Sequence, residues 1–326
     1  MPKTLITADL HFSDNIRDAY RFEIVDRLIK LIRAHKAESL VILGDLTEAK
    51  ERHNAWLTNR IVDIIVRLAK ECFVVIVKGN HDYLADPNTP FFRFLDHLEN
   101  VWWINEPQGA YSPLYLPHTR NYKEDWEGLD LSVGLIYTHN AFVGADLGNG
   151  FFAEVKHGAI PLDIIPKHTL VISGDIHKPQ RLGNVIYVGA PYLIDFGDDY
   201  QPRVLLLDEP KWTVKSILLG GRQKRLVELN SIEELATVKA NTGDILKVRI
   251  RLDPEDHAQW PKHQAAIRQW GEEGGYQVYQ VLPLVEGAHP KSVPVLKHRS
   301  DEKIVRDYAG QHRVPTTTLK TGLKLL

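Results

Sequence analysis

A chain of 326 residues with 44% hydrophobic and 25% charged side chains has the make-up of a soluble globular protein with room for two or so domains. Its one cysteine, Cys72, excludes a disulfide framework and a thiolate zinc site, and no run approaches the roughly 18 apolar residues of a membrane span. The net charge of −2 is divided unevenly: residues 1–210 hold 21 Lys/Arg against 29 Asp/Glu, a balance of −8, and residues 211–326 hold 19 against 13, a balance of +6. An acidic first part suits carboxylates that gather cations; a basic second part suits phosphates, or is plain surface. The opening residues lack the apolar stretch of a secretory leader, so a cytoplasmic setting without membrane attachment is expected.

In chain order, residues 4–7 read as a short buried strand ending in Ala8-Asp9-Leu10-His11. An amphipathic helix over residues 16–35 follows, with Ile24, Leu28, Leu31 and Ile32 on one side. Residues 39–43 form a second buried strand, ending in Gly44-Asp45, and a helix follows with Ile61, Ile64, Ile65 and Leu68 inward. The apolar run Val74-Val75-Ile76-Val77 is a third strand, buried on both faces, and stops at Gly79-Asn80-His81-Asp82. By itself that peptide is equally a polar turn or a reaction centre, because chemistry in an open α/β sheet collects beyond the carboxyl ends of the strands. The β-α-β-α-β order predicts a parallel sheet covered by helices.

From Val101 onward strands dominate, at residues 101–104, 114–116, 133–137, 169–173 and 185–188, with Thr138-His139-Asn140 and Gly174-Asp175-Ile176-His177 at two of their ends. Residues 144–160 are Gly-rich and read as an ordered loop, and residues 203–207 and 212–214 as a terminal hairpin. Two sheets packed face to face with helices outside are expected. Gly220 to Arg225 reads as a linker. Beyond it, residues 245–252 alternate apolar and basic, a helix runs from Asp253-Pro254 to about Trp270, and residues 276–281 alternate again, making a small α+β appendage. A further helix is expected near residues 301–311, before an apolar-basic end at residues 319–326.

The strand-end donors Asp9, His11, Asp45, Asn80, His139, Asp175 and His177 are carboxylates, imidazoles and one amide, without sulfur. Such a set suits hard or borderline divalent ions. It is too large for one four-coordinate zinc and fits two ions sharing a carboxylate, an arrangement that clamps a phosphoryl group for in-line attack. His118, His157 and His168 read as surface or locally bonded, and Trp102 and Trp103 as core. Glu48 and His53 either line the cleft or start a helix. Arg181 is a weak candidate for phosphate contact.

The series Asp9-Leu10-His11, Gly44-Asp45, Gly79-Asn80-His81-Asp82, His139 and Gly174-Asp175-Ile176-His177 resembles, in order, the five signatures of calcineurin-like metallophosphoesterases. The resemblance covers about the first 200 residues and implies an α/β/β/α sandwich. It implies that Asp9, His11 and His177 hold one metal, that Asn80, His139 and Asp175 hold a second, and that Asp45 bridges them. His81 would touch the phosphate or protonate the leaving oxygen, with Asp82 orienting it; an unperturbed imidazole titrates at about 6.5, which suits that work. Many relatives carry His where this chain has Asp175. The carboxylate either ligates, favouring a harder ion, or stands behind the ligands and leaves the second site weak.

Within the superfamily, Gly174 to Gln180, Tyr187-Val188-Gly189-Ala190-Pro191 and Phe196-Gly197-Asp198 are similar to the SbcD-type DNA nuclease subunits of bacteria and phages. That likeness implies a nuclease domain at residues 1–220, a capping domain at 221–290 and a partner-binding tail at 291–326. The activity implied is exonuclease on duplex ends and endonuclease on single strands, in repair or recombination. Two divalent ions are implied, Mn²⁺ first and Mg²⁺ second. The implied partners are DNA, an SbcC-type coiled-coil ATPase and a second copy of the chain, in a bacterial or phage-infected cytoplasm. Lys247, Arg249 and Arg251 would touch DNA phosphates, or else form the solvent face of an amphipathic strand. The tail would dock the ATPase or simply pack as a terminal helix. A nucleotide or small-molecule phosphodiesterase, and a non-catalytic scaffold, are the alternatives.

Overall fold

The computed structural model describes residues 2–285 apart from 51–52, 84–90, 110–111, 149, 210 and 253–258. The expected tail at 291–326 and the start of the helix at Asp253-Pro254 lie outside the described residues. In chain order the strands are β1 Lys3–Ala8, β2 Ser39–Leu43, β3 Phe73–Val77, β4 Val101–Ile104, β5 Leu114–Leu116, β6 Leu135–Thr138, β7 Asp146–Gly148, β8 Phe151–Phe152, β9 Leu170–Ser173, β10 Gln180–Leu182, β11 Val185–Tyr187, β12 Arg203–Asp208, β13 Thr213–Leu218, β14 Lys224–Leu229, β15 Ile245–Leu252 and β16 Gln277–Val285. The α-helices are α1 Ile24–His35, α2 Ala55–Ala69, α3 Tyr122–Asp125 and α4 Trp260–Gly274.

Two sheets make an α/β sandwich. One has the order β13-β12-β1-β2-β3-β4 and the other β10-β11-β9-β6-β5. Strands β1 to β4 are mutually parallel, as are β5, β6, β9 and β11, so the carboxyl ends within each sheet lie along one edge. Ile6, Val41, Val75, Tyr137 and Ile172 fill the space between the sheets. Val25, Leu28, Ile61, Ile64 and Leu68 press α1 and α2 onto the outer face of the first. That burial, at about 25 cal/mol per Å² of apolar surface, is the main favourable term.

The layer over the second sheet is thinner than helices outside would give. Residues from Tyr122 to Ile165 cover it with α3, short 3₁₀ turns and loops. These stretches lack a helical apolar period, so they bury single side chains instead of a continuous stripe. The region expected as a loop at 144–160 contains the β7–β8 hairpin. The helix expected over 16–35 is a 3₁₀ turn, Ile16–Glu23, followed by α1. Residues three apart eclipse in a 3₁₀ turn, which puts Asp18 and Arg21 on one buried side with Arg21 Nη2 3.4 Å from Asp18 Oδ1.

A third sheet, β14-β15-β16, is parallel throughout and is covered by α4 and a 3₁₀ turn. Reading Gly220 to Arg225 as a linker is corrected here, because Lys224 and Arg225 open β14. The Lys224 amine is buried, donates to the Ile194 carbonyl at 2.5 Å and lies against the rings of Tyr20, Phe196 and Tyr279. A lysine placed so does not look like a strand residue in a sequence.

The two main sheets meet most closely at their carboxyl ends. A Cβ on Gly174 would collide with the Leu43 carbonyl and lie 2.7 Å from His139 Nδ1. Gly174→Ala is therefore expected to force the sheets apart, costing about 1–3 kcal/mol. Chemical denaturation of chelated protein should show that loss, together with weaker metal uptake.

Candidate metal centre

Four of the strand-end donors hold backbone conformations that L-residues avoid: Asp9 (φ 54°), His11 (φ 42°), Asp45 (φ 52°) and Asp175 (φ 75°). Each such residue costs on the order of 1–3 kcal/mol, a strain that collects at working sites. Backbone hydrogen bonds between the two loops hold the strained turns, with His11 N donating to Asp45 O at 2.9 Å and Phe12 N to Leu46 O at 2.9 Å. Gly44, also left-handed at φ 76°, leaves no room for a Cβ beside the His139 ring.

The structure brings all seven strand-end donors together. Asp9, His11 and His177 converge with ligand atoms within 4.8 Å of one another, as do His11, Asp45 and His81, and Asp9, Asp45 and His139. Asp45 is common to two of these groups: its Oδ2 is 3.5 Å from His11 Nε2 and its Oδ1 3.4 Å from His139 Nε2. The Asn80 side-chain oxygen sits 2.9 and 3.0 Å from the two Asp45 oxygens and 3.1 Å from His139 Nε2. Asp175 stands at the edge, its Oδ1 3.8 Å from His139 Nε2 and its backbone N–H donating to Asp9 Oδ1 at 3.2 Å.

These groups fit cations. Asp9 Oδ2 is buried and has no hydrogen-bond partner. The Asn80 oxygen faces carboxylate oxygens, which repel it. Turning the amide over would relieve that contact, and a cation at the shared centre relieves it with the oxygen in place. The His139 tautomer is fixed, since Nδ1 donates to the Leu43 carbonyl at 2.7 Å and turns Nε2 toward Asp45; metal-binding histidines are oriented in this way. Nε2 of His11 and Nε2 of His177 approach to 3.1 Å, two ligand nitrogens aimed at one point.

Electrostatics agree with the geometry. Burial works against charge on Asp45, but His139 and His11 outweigh it and hold the carboxyl well below its usual range. Burial lifts Asp9 well above that range and Asp175 to about 6. Burial opposes charge on His139 too, yet Asp45, Asp9 and Asp175 together hold the imidazole protonated. Burial lowers His11 to about 3, so it is neutral and ready to ligate near pH 7.

Asp82 does not orient His81. It is fully buried, and its carboxylate accepts from the backbone N–H groups of Gly79 (2.7 Å), Asp45 (3.0 Å) and Leu46 (3.1 Å). It ties the β2 and β3 loops together. His81 Nδ1 donates instead to the Glu48 carbonyl at 2.8 Å, which leaves Nε2 toward the centre, 3.9 Å from Asp45 Oδ2. Glu48 lines the site. Its carboxylate is 3.5 Å from His11 Nδ1 and accepts from Arg21 Nη1 at 2.8 Å. Burial acts against charge on Glu48, and the Arg21 hydrogen bond overcomes it and lowers its pKa. Arg21 also donates to the His11 carbonyl at 2.5 Å. Sequence reasoning passed over Arg21; the only signal was a charged residue on the apolar side of a helical stretch.

Of the other histidines, His157 and His168 are exposed. His118 is half-buried: its ring lies 6.3 Å from that of His139, and burial lowers its pKa to about 3. His53 accepts or donates at Thr47 Oγ1, 2.6 Å away, and stacks on Phe91. Trp103 is core and Trp102 packs on Tyr115. Arg181 is exposed, and its Nε donates to the Gly183 carbonyl of its own hairpin. Lys247, Arg249 and Arg251 alternate on β15 with buried Val248 and Ile250. Arg249 pairs with Glu228 at 3.1 Å, and Lys247 Nζ lies 5.9 Å over the Phe196 ring.

A model of the calcineurin-like phosphoesterases matches residues 2–207, well over half of the chain. The protein belongs to that family. A protein of Invertebrate iridescent virus 6 named "Putative phosphoesterase 244L" is 28% identical over 280 residues, covering 78% of this chain and 90% of its own. Invertebrate iridescent virus 3 has a counterpart, "Putative phosphoesterase 078R", 22% identical over 318 residues and covering 86% and 85%. Among solved structures, an archaeal phosphodiesterase aligns at 13% identity over 67% of this chain and 99% of its own, with a TM-score of 0.35. The Pseudomonas putida nuclease MPE aligns at 18% over 66% and 87%, with a TM-score of 0.34. Among the described residues no helix is long and apolar enough to cross a membrane.

Two outcomes follow from this geometry. Asp82→Ala strands three buried N–H groups, so a loss of about 3–5 kcal/mol is expected, read as a lower Tm with weakened metal binding. Metal affinity should rise with pH through about 6. Protons held by Asp9, Asp175 and His139 at low pH must leave before a cation enters, so Mn²⁺ titrations of chelated protein should give at least roughly tenfold tighter binding at pH 7.5 than at pH 5.5.

Proposed function

We propose that this metal-dependent phosphoesterase is a DNA nuclease of the SbcD type, cutting phosphodiesters at duplex ends and in single strands with two Mn²⁺ ions, or Mg²⁺ in their place. Asp9, His11 and His177 would hold one ion, Asn80, His139 and Asp175 the other, with Asp45 shared. When bound, the pair would supply positive charge to activate a water and to steady the phosphoryl oxygens.

The chain's own groups do the rest. His81, braced at Nδ1 by the Glu48 carbonyl, offers Nε2 to the leaving oxygen and passes it a proton. Asp82 fixes the turn that carries His81, and Glu48, held by Arg21, lies 3.5 Å from His11 Nδ1. The observation that carries DNA over a small ester is the seating of the third sheet. Tyr279 of β16 packs on Phe196 at 5.2 Å, and the residues beside Phe196, namely Asp195, Gly197 and Asp198, share a cleft with Asp175 and His177. A third sheet bearing Lys247 beside Phe196 extends the surface next to the cleft beyond what a small ester needs. The nuclease reading brings with it an SbcC-type ATPase as partner and a dimer of this chain.

The test is a gel assay on labelled duplex and single-stranded DNA with Mn²⁺, beside hydrolysis of bis(p-nitrophenyl) phosphate. Cutting of DNA that falls by about 100-fold or more in His81→Ala, with two ions still bound, is the expected result. Ester turnover with DNA intact selects a small-molecule phosphodiesterase, and silence in both selects a scaffold.

A further inference from the structure

We infer that the β7–β8 hairpin is a stacking platform for an unpaired nucleobase next to the scissile phosphate. This rests on the nuclease reading above and names the part of the strand the site holds. Phe151 and Phe152 are 69% and 57% exposed, and Leu147 is 48% exposed; large apolar groups concentrated on so short a hairpin call for a partner. Phe152 and Leu147 line the same cleft, of about 530 Å³, as Asp175 and His177. A group lying beside Asp175 and His177 in this cleft shares it with the Phe152 side chain.

The hairpin is held in place. Lys178 Nζ donates to Asp146 Oδ2 at 2.9 Å, Asp146 N donates to Gln180 Oε1 at 2.8 Å, and Gln180 Nε2 donates to the Asp146 carbonyl at 2.7 Å. Both anchors lie one and three residues beyond His177, so the platform and a candidate ligand share one rigid strap. Gly148 and Gly150 have left-handed backbones, and among the described residues no atom beyond their chain neighbours lies within 4 Å of where a Cβ would stand on either.

Charge decides what lies there. Asp195 and Asp199 on the same cleft are exposed carboxylates, which repel a run of phosphates and tolerate a neutral base. Aromatic rings beside a phosphodiester site take bases by stacking, with little regard to sequence. The alternating side-chain directions of a strand point Phe151 away from Phe152, so the two phenylalanines separate in function.

The experiment compares one single-stranded oligonucleotide with two counterparts that carry an abasic residue at the 5′ or the 3′ end, each with Mn²⁺. The expected result is a roughly tenfold slower first cut when one of the two ends is abasic, a ratio that collapses toward one in Phe152→Ala, survives in Phe152→Trp and survives in Phe151→Ala. Calorimetry with Mn²⁺ shows whether Phe152→Ala still binds metal as the native chain does. An abasic penalty that persists in Phe152→Ala, or no penalty at either end in the native chain, overturns the inference and leaves the hairpin to a protein partner, while the nuclease reading stands. If the native chain cuts none of the three oligonucleotides, the nuclease reading itself fails.

Discussion

The carboxyl groups of Asp9, Asp45 and Asp175 crowd one another across the narrow gap where two sheets end, and that crowding of like charge governs the rest of the centre. Hydrogen bonds to backbone N–H groups offset only part of it, since Asp9 Oδ2 has none. In the absence of metal, protons supply the positive charge. The Asp45 carboxylate favours the charged form of His139 against burial, and burial favours the neutral acid at Asp9 and Asp175. Divalent cations replace several protons with a denser charge at one point. The left-handed turns at Asp9, His11, Asp45 and Asp175 carry a strain that the same cations help to offset.

The donors were legible in the sequence because each follows a run of apolar residues and because the chemistry depends on few side-chain types. Seven positions from Asp9 to His177 meet as strand ends must when two parallel sheets face each other. Other parts were not legible, for physical reasons. Asp82 is spaced like a partner for His81, but its oxygens are claimed by Gly79, Asp45 and Leu46 N–H groups, and only the path of two loops fixes that. Glu48 could be placed near the cleft or at a helix start; the choice waits on Arg21, which reaches it only because a 3₁₀ turn replaces the first part of the expected helix. β14 was hidden because its first residue is a lysine whose charge is met by a carbonyl from a distant loop.

Asp175 changes the balance of the centre beyond its own contacts. A histidine there would be neutral when bound, whereas a carboxylate adds a third negative charge to those of Asp9 and Asp45. With a fifth of its side chain exposed, Asp175 sits where water softens that charge, at the rim and not in the gap. Its position beside the acidic wall of Asp195 and Asp199 makes this flank of the centre the more negative one.

One loop links these features to the third sheet. Ala190 N donates to the His177 carbonyl at 2.9 Å, the Tyr192 hydroxyl donates to the Leu10 carbonyl, and the Ile194 carbonyl accepts from buried Lys224. Residues 190–194 thus touch the strap of one candidate ligand, the loop of another and the first strand of the cap. Burial lowers the pKa of the Lys224 amine, and moving the third sheet away would break its hydrogen bond to that carbonyl and separate it from the Tyr20 and Phe196 rings it lies against. The third sheet is fastened to the backbone that holds the donors, so a displacement of it reaches His177 and Leu10 through bonds already formed.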